Sequence, residues 1–241
     1  MSSETHRTRN RRGEGSRLRG EIIAAATALL ERAGSEDAIT LRGVARQAGV
    51  SAPSIYAHFA DREEIIDAVV AQAFTELDEA LVTAVEGETD PARRLWKLCE
   101  AYLDFAESKP HRYRVAFGRH STADPTTTGS ATRLEDLSGG RAFTRLIDAV
   151  TDRAKSHHTK SDHANDGTTQ SAPAQDRRAH DSPAQNDSAG NGYAANRSPQ
   201  VAATALWVAL HGYASLTASV PLFPWPDRRQ MLSTLLASTA P

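Results

Sequence analysis

Large apolar residues recur along this chain at helical spacing, and polar residues and glycines punctuate the runs. Ile22, Ile23, Ala26, Leu29, Leu30 and Ala33 share one helical face, and Gly34 stops the run in the usual place. Thr40 reads as an N-cap before Leu41, Val44, Ala45 and Ala48, and Gly49 breaks that run. Ser51 is a second N-cap, opening a short helix that carries Ile55 and ends near Phe59. Asp61 to Glu64 forms a capping box, with Asp61 as cap and Glu64 reaching back. It opens a long helix, 61–86, through Ile65, Ile66, Val69, Val70, Ala73, Phe74, Leu77, Leu81 and Val85. Asp90-Pro91 starts another, because proline at the first helical position lacks only a donor that would go unused. That helix runs through Leu95, Leu98, Tyr102 and Phe105 to about Ser108. Residues 110–118 predict a short helix and 133–155 a longer one, with Leu134, Leu137, Phe143, Leu146, Ile147 and Val150.

From Ser156 to Arg197 large apolar residues almost vanish. Such a segment cannot bury enough surface to offset its ordering entropy, so 156–197 reads as a disordered linker between two helices. It holds His157, His158, His163 and His180 at spacings that fix no ligand geometry, which favours a soluble linker over a metal-binding tract. Ser198-Pro199 then opens a helix with Val201, Ala205, Leu206, Val208, Ala209, Leu210, Tyr213 and Leu216. A Pro-Leu-Phe-Pro-Trp-Pro break precedes a final helix with Met231, Leu232, Leu235 and Leu236. Alternating strand-like runs are absent, so the pattern predicts an all-α fold.

Composition narrows the function classes. The chain has 241 residues, enough for one or two domains, and a formal net charge of −2. Residues 1–62 carry ten Lys/Arg against seven Asp/Glu, and the remainder 18 against 23, so the basic end is N-terminal. That asymmetry fits polyanion contact at one end and is also common on solvated faces. Cys99 is the lone cysteine, which excludes an internal disulfide and a Cys-based zinc site and suits a cytoplasmic protein. No uninterrupted apolar run reaches the roughly 18–20 residues that span a bilayer, and the N-terminus lacks the apolar core of a signal peptide. Neither a membrane partner, a metal nor a cofactor is expected. Nucleophile elbow, phosphate-binding glycine loop and HExxH are all missing, and nothing groups a nucleophile, base and orienting residue, so no catalytic residue is assigned.

The informative stretch is TLRGVARQAGVSAPSIYAHF, Thr40 to Phe59. Gly49 supplies the left-handed conformation of a sharp turn, and Val50 plugs the angle between two short helices. Leu41, Val44, Ala48 and Ile55 form the inner face, and Ala45 is small where the helices cross. This is a helix-turn-helix, whose second helix enters the major groove. That helix exposes Ala52, Pro53, Ser54, Tyr56, Ala57 and His58 to varying degrees, offering hydroxyls, an imidazole and methyl groups to base edges or phosphates. Thr40 and the helix start behind it suit a phosphate, and Arg42 and Arg62 stand at helix starts where they neutralise one. A helical hairpin with no nucleic acid is the competing reading of the same pattern.

GVSAPSIYAHFADREEIIDAVV, with the preceding ITLRGVARQAG, resembles the signature of the TetR family of bacterial regulators, and the resemblance covers residues 17–75. It implies a three-helix DNA-binding domain at 17–62, with helices near 17–33, 40–47 and 51–57, behind a basic disordered arm at 1–16. It further implies DNA contact by Thr40, Ser51, Ser54, Tyr56, His58 and Arg62, with Ala52 and Pro53 where the family reads bases. A basic residue common just after the Ser cap is Ala52 here. The arm adds Arg7, Arg9, Arg11 and Arg12, with Arg17 and Arg19 at the helix start, as phosphate or minor-groove contacts; a merely solubilising tail is the alternative.

The rest, 63–241, is by the same resemblance a helical ligand-binding and dimerisation domain. AYLDFAESKPHRYRVAFG and LWVALHGYASL are similar to a TetR subgroup named for a Trp-His-Gly signature, matched by Trp207, His211 and Gly212. Trp207 and His211 share a helix face. They are candidates for a ligand-pocket wall, with Trp96, Tyr102, Phe105, Tyr113, Phe117 and Phe143 as co-liners, although aromatics at this spacing also serve as plain core. The helices near 199–218 and 227–238 are the expected dimer bundle. The implied function is a homodimeric repressor on a palindromic double-stranded DNA operator, released by a small-molecule effector. The alternatives are a ligand-independent regulator, an activator, or an all-helical protein-interaction module.

Overall fold

A computed structural model of the chain describes residues 14–118, 139–165 and 198–238, and every regular element among them is helical. The order is α1 (Glu14–Ala33), a single 3-10 turn (Glu36–Ala38), α2 (Leu41–Ala48), α3 (Ala52–Tyr56), α4 (Arg62–Ala84), α5 (Pro91–Ser108), α6 (Pro110–Gly118), α7 (Gly140–Asn165), α8 (Pro199–Ser219) and α9 (Arg228–Ser238).

Helix α7 differs from expectation. It begins at Gly140 and runs to Asn165, ten residues into the stretch read as linker. Residues 156–165 contain neither glycine nor proline, and the first glycine beyond them is Gly167. Loss of large apolar residues signals loss of burial, whereas ending a helix needs a breaker or a cap. What remains of the linker expectation, 166–197, lies outside the described residues, as do the arm before residue 14 and residues 119–138, with Leu134 and Leu137.

The chain separates into two compact units, 1–80 with 104–140, and 81–103 with 141–241. The first therefore reaches past the boundary expected at residue 62. The reason is a shared core: Ile65, Ile66 and Val69 of α4 and Val115 of α6 pack with the buried residues of α1 to α3.

In the first unit, Ile22, Ala26 and Leu30 lie one turn apart on α1 and are fully buried, facing Val44 and Ala45 of α2 and Ile55 of α3. Gly34 ends α1 at φ 71°, and a Cβ there would sit 3.0 Å from Cε1 of His111 on α6. Helix α6 is also tied to α1 and α4 by charge. Arg112 donates from Nε to Glu31 Oε1 at 2.7 Å and from Nη1 to Glu76, which also accepts from Lys109 Nζ at 2.8 Å. Burial alone would raise the Glu76 carboxyl, but the hydrogen bonds from Lys109 and Arg112 outweigh it and hold the group below the usual carboxylate range.

In the second unit each helix buries one face: Leu95, Leu98 and Cys99 on α5, Leu146, Ala149 and Val150 on α7, Ala203, Leu206, Leu210 and Ala214 on α8, and Leu232 and Leu236 on α9. Burial pushes the Cys99 thiol up to about 12, which leaves it an inert core group. Arg228 of α9 donates to the Glu100 carbonyl of α5 at 2.9 Å. His211 pairs through Nδ1 with the Tyr102 hydroxyl at 3.4 Å and through Nε2 with Ser215 Oγ at 3.5 Å, and the ring centroids of Phe143 and Trp207 stand 5.5 Å apart. The other side of α8 is apolar and exposed: Val201 58%, Val208 59%, Leu216 50%. By length and composition alone α8 passes the test for a membrane span, with mean hydropathy 1.3. Counting uninterrupted apolar runs missed this because Thr204, His211 and Ser215 break the run without reversing its average.

Two outcomes follow for stability. Gly49→Ala is expected to cost about 1–2 kcal/mol, because Gly49 sits at φ 67° with nothing within 4 Å of a new Cβ. Gly34→Ala carries the same backbone cost plus the His111 clash, so thermal unfolding of the two variants should rank Gly34→Ala lower. Burial lowers the pKa of His211, so the unfolded chain binds its proton more readily than the folded one. Stability associated with this group is therefore present above the ordinary imidazole pKa of about 6.5 and is lost as pH falls below it. His211→Gln should shrink the drop in melting temperature between neutral and mildly acidic buffer; an unchanged drop would assign it to other groups.

Candidate nucleic-acid interface

The interface is built on α2, α3 and the turn between them. Thr40, in extended conformation, accepts from Gly43 N at its Oγ1, 3.1 Å away, and its carbonyl accepts from Val44 N at 2.8 Å. Gly49 closes α2 in the left-handed region, φ 67° and ψ 32°, and Val50 N donates back to the Ala45 carbonyl at 2.9 Å. Val50 packs against the core as the plug in the angle. Ser51 then starts α3, but its side chain makes no capping bond; its Oγ lies 2.7 Å from Ser54 Oγ instead. The two hydroxyls face out as a pair.

Helix α3 has five residues and sinks Ile55 completely into the core, followed by Phe59 at 1% exposure. Everything else on it turns outward by geometry. Pro53 is exposed, Tyr56 is 57% exposed, and Ala52, Ser54 and His58 are partly exposed. Arg42 and Arg46 stand one turn apart on the outer face of α2, and neither guanidinium has a partner among the described residues. Arg46 was missed by sequence reasoning, although its spacing four residues after Arg42 carried the signal. At the start of α1, the Arg19 guanidinium lies 4.6 Å from the centre of the Phe59 ring, and Gly15 comes close to His58. Arg17 pairs with Glu21 at 3.3 Å on the surface. Arg7, Arg9, Arg11 and Arg12 lie outside the described residues.

Arg62 is placed differently from the expectation of a phosphate contact. Its Nε donates to the Ile39 carbonyl at 2.7 Å, its Nη2 to the Glu36 carbonyl at 2.8 Å, and its Nη1 pairs with Glu63 at 2.7 Å. All three nitrogens are engaged inside the fold. The residue fastens the start of α4 to the segment that presents Thr40, and so positions the N-cap of α2. The capping box expected beside it forms with a one-residue difference: Glu64 N donates to Asp61 Oδ1 at 2.9 Å, while Glu64 Oε2 accepts from Ala60 N at 2.6 Å.

The aromatic residues proposed as one ligand wall do not share a unit. Phe105, Tyr113 and Phe117 belong to the first, where Phe117 meets Phe74 edge-on at 5.1 Å and Tyr113 at 4.8 Å. Trp96, Tyr102, Phe143, Trp207 and His211 belong to the second. Helix α6 carries Tyr113 and Phe117 into the first unit because Val115, between them, joins its core.

Comparison with known proteins agrees with this geometry. Residues 22–69 match the family model of the bacterial regulatory proteins of the tetR family, and residues 95–239 that of the tetracyclin repressor-like C-terminal domain. The chain is 31% identical over 137 residues to the HTH-type transcriptional activator FasR of Mycolicibacterium smegmatis, a match that takes in 51% of this chain and 62% of FasR. The matched part thus spans less than two thirds of that relative's length. A solved structure of a protein of unknown function from Rhodococcus sp. RHA1 shares the fold at TM-score 0.59 and 24% identity, over 92% of this chain and 93% of that one. A TetR-like transcriptional regulator, also from Rhodococcus sp. RHA1, does so at TM-score 0.50 and 15% identity over 96% of both. This chain belongs to the TetR family of bacterial regulatory proteins.

Proposed function

We propose that the protein is a homodimeric repressor that reads a palindromic operator and leaves it when a small molecule binds the second unit. The observation that carries the DNA reading is the outer face of the helix-turn-helix. It offers the Ser51–Ser54 hydroxyl pair, the exposed Tyr56 and two cations without partners among the described residues, Arg42 and Arg46. Tyr56, Ser54, Pro53 and Ala52 meet base edges in the major groove, while Thr40, Ser51, His58, Arg42 and Arg46 meet phosphates. A dimer supports two such helices roughly 34 Å apart, one turn of DNA.

The exposed apolar side of α8 supports the dimer. A soluble chain that leaves Val201, Val208 and Leu216 open on one helix needs a partner for them, and a second copy of the same helix is self-complementary about a two-fold axis. Read so, α8 is a bundle helix rather than a membrane span, and the protein is cytoplasmic. The effector site draws on Tyr102, Phe143, Trp207 and His211, which approach one another in pairs within the second unit. Helix α4 contributes residues to both units, so an effector that prefers a different tilt of α4 alters recognition-helix spacing. It weakens DNA binding only by as much as its own affinity differs between the two states.

An activator is the second reading, favoured by the likeness to FasR, which is named as one. Transcript levels beside the operator in a deletion strain separate the two: they rise if the protein represses and fall if it activates.

Operator binding by fluorescence anisotropy across a salt series tests the contacts. Arg42→Ala should flatten the log–log salt dependence by about one per half-site. Tyr56→Phe should weaken binding severalfold to about tenfold per half-site if the hydroxyl makes a base or phosphate bond, with the melting temperature unchanged. Arg62→Ala should behave oppositely, losing about 1–3 kcal/mol of stability because it takes the side-chain donor from the Ile39 carbonyl and one of two donors from the Glu36 carbonyl. Should Arg42→Ala and Tyr56→Phe both bind as wild type, these contacts are misassigned.

In analytical ultracentrifugation, Val208→Asp combined with Leu216→Asp should convert the dimer to a helical monomer that no longer holds the operator tightly. Persistence of the dimer would place the interface elsewhere.

A further inference from the structure

A cavity of about 530 Å³ opens within the first unit, where the end of α1 and the 3-10 turn meet α6. Leu30 and Val115 supply its apolar lining, and Gly34, Glu36, His111, Arg114 and Gly118 its more polar edge. It uses none of the aromatic residues assigned to the effector. Its volume lies within the range of ordinary small-molecule sites, roughly 300–1,000 Å³.

We propose that this cavity binds a small monocarboxylate with a compact apolar body. One of its groups lacks a partner that such a ligand would provide. Arg114 is exposed, its recorded bond is to the Gly34 carbonyl at 3.1 Å, and no carboxylate pairs with it among the described residues. A guanidinium with its fork still open is matched best by a planar carboxylate. His111 rests against Gly34, and its Nδ1 is shut off from solvent with no hydrogen-bond partner. The acid on the lining, Glu36, lies in the 3-10 segment. Leu30 and Val115 leave room for a ring or a branched chain rather than a long tail.

The ligand's carboxylate competes with the Gly34 carbonyl for Arg114, so it acts on the seam where α6 holds the end of α1. Its effect on operator affinity rests on the function proposed above; its binding to the protein does not.

The test is isothermal titration of the DNA-free full chain with phenylacetate, 2-phenylethanol and 2-phenylethylamine, which share a shape and differ in charge. Phenylacetate is expected to bind saturably and the other two not. Arg114→Gln should weaken phenylacetate about tenfold or more, as for loss of a charged hydrogen bond. Gly118→Leu should block it, since a Cβ at residue 118 meets nothing within 4 Å and the position lines the cavity. Trp207→Ala should leave it unchanged. Equal or tighter binding of the amine would make Glu36 the anchor and overturn the proposal. So would an undiminished affinity in Arg114→Gln, loss of binding in Trp207→Ala, or no saturable heat at millimolar phenylacetate. Operator binding by the same preparation is read separately: if it is intact while phenylacetate fails, only the cavity assignment falls.

Discussion

A helix of five residues cannot hold itself together in water, because nucleating its first turn fixes several dihedrals for very few hydrogen bonds. Helix α3 exists because Ile55 and, just beyond it, Phe59 are buried against α1, α2 and α4. That one requirement sets the geometry of the surface proposed to face DNA. With Ile55 pointing in, Pro53 and Tyr56 are turned out, and Gly49 must take a left-handed conformation to bring α3 back against α2. The recognition surface is thus a by-product of core packing. A mutation that loosens the Ile55 pocket would blur the position of every contact residue on α3 without touching any of them.

Around this core the cations divide into two kinds. Arg42 and Arg46 are exposed and without partners among the described residues, where the proposed phosphate contact would be worth most to them. Arg62 and Arg112 are engaged inside the first unit, one to the carbonyls of Ile39 and Glu36, the other to Glu31 and Glu76. The Arg112 group matters for how movement passes through the unit. Glu76 is held ionised by Lys109 and Arg112 against the pull of burial, so α1, α4 and α6 share charges that are costly to separate. A displacement of α6 is then met first by α1, because Arg112, Arg114 and His111 all engage its last turns.

How much of this was legible in the chain depended on the range of the signal. Caps, glycine stops and apolar periodicity are local, and they located α1 to α6, α8 and α9 and the turn at Gly49. Among the candidate site residues, the cap at Thr40 and the outward placement of Ser51, Tyr56 and Arg42 were readable because a short helix with one buried face has few choices for the rest. Arg62 was misread because its partners Glu36 and Ile39 lie more than twenty residues back, and a guanidinium at a helix start looks the same whether it faces a phosphate or a carbonyl. The Arg112–Glu31 bond, 81 residues apart in sequence, left no local trace. The aromatic wall was a grouping by residue type, and type does not report which core a helix joins: Val115 takes Tyr113 and Phe117 into the first unit. The overlong linker came from equating absence of burial with absence of helix, when residues 156–165 lack any breaker.

Helix α8 shows the same ambiguity resolved by a different argument. Its average hydropathy suits a bilayer, yet its residues are not uniform around the axis. Ala203, Leu206, Leu210 and Ala214 form a buried stripe, and Val201, Val208 and Leu216 an exposed one, with Thr204, Ser215 and the half-buried His211 set among them. One stripe packs on the helix's own core and leaves the other for a second apolar surface, which in the proposed dimer is the same helix of another copy. The inner stripe sets two leucines between two alanines, and the outer joins two stiff branched valines, which lose little side-chain freedom when covered, to Leu216.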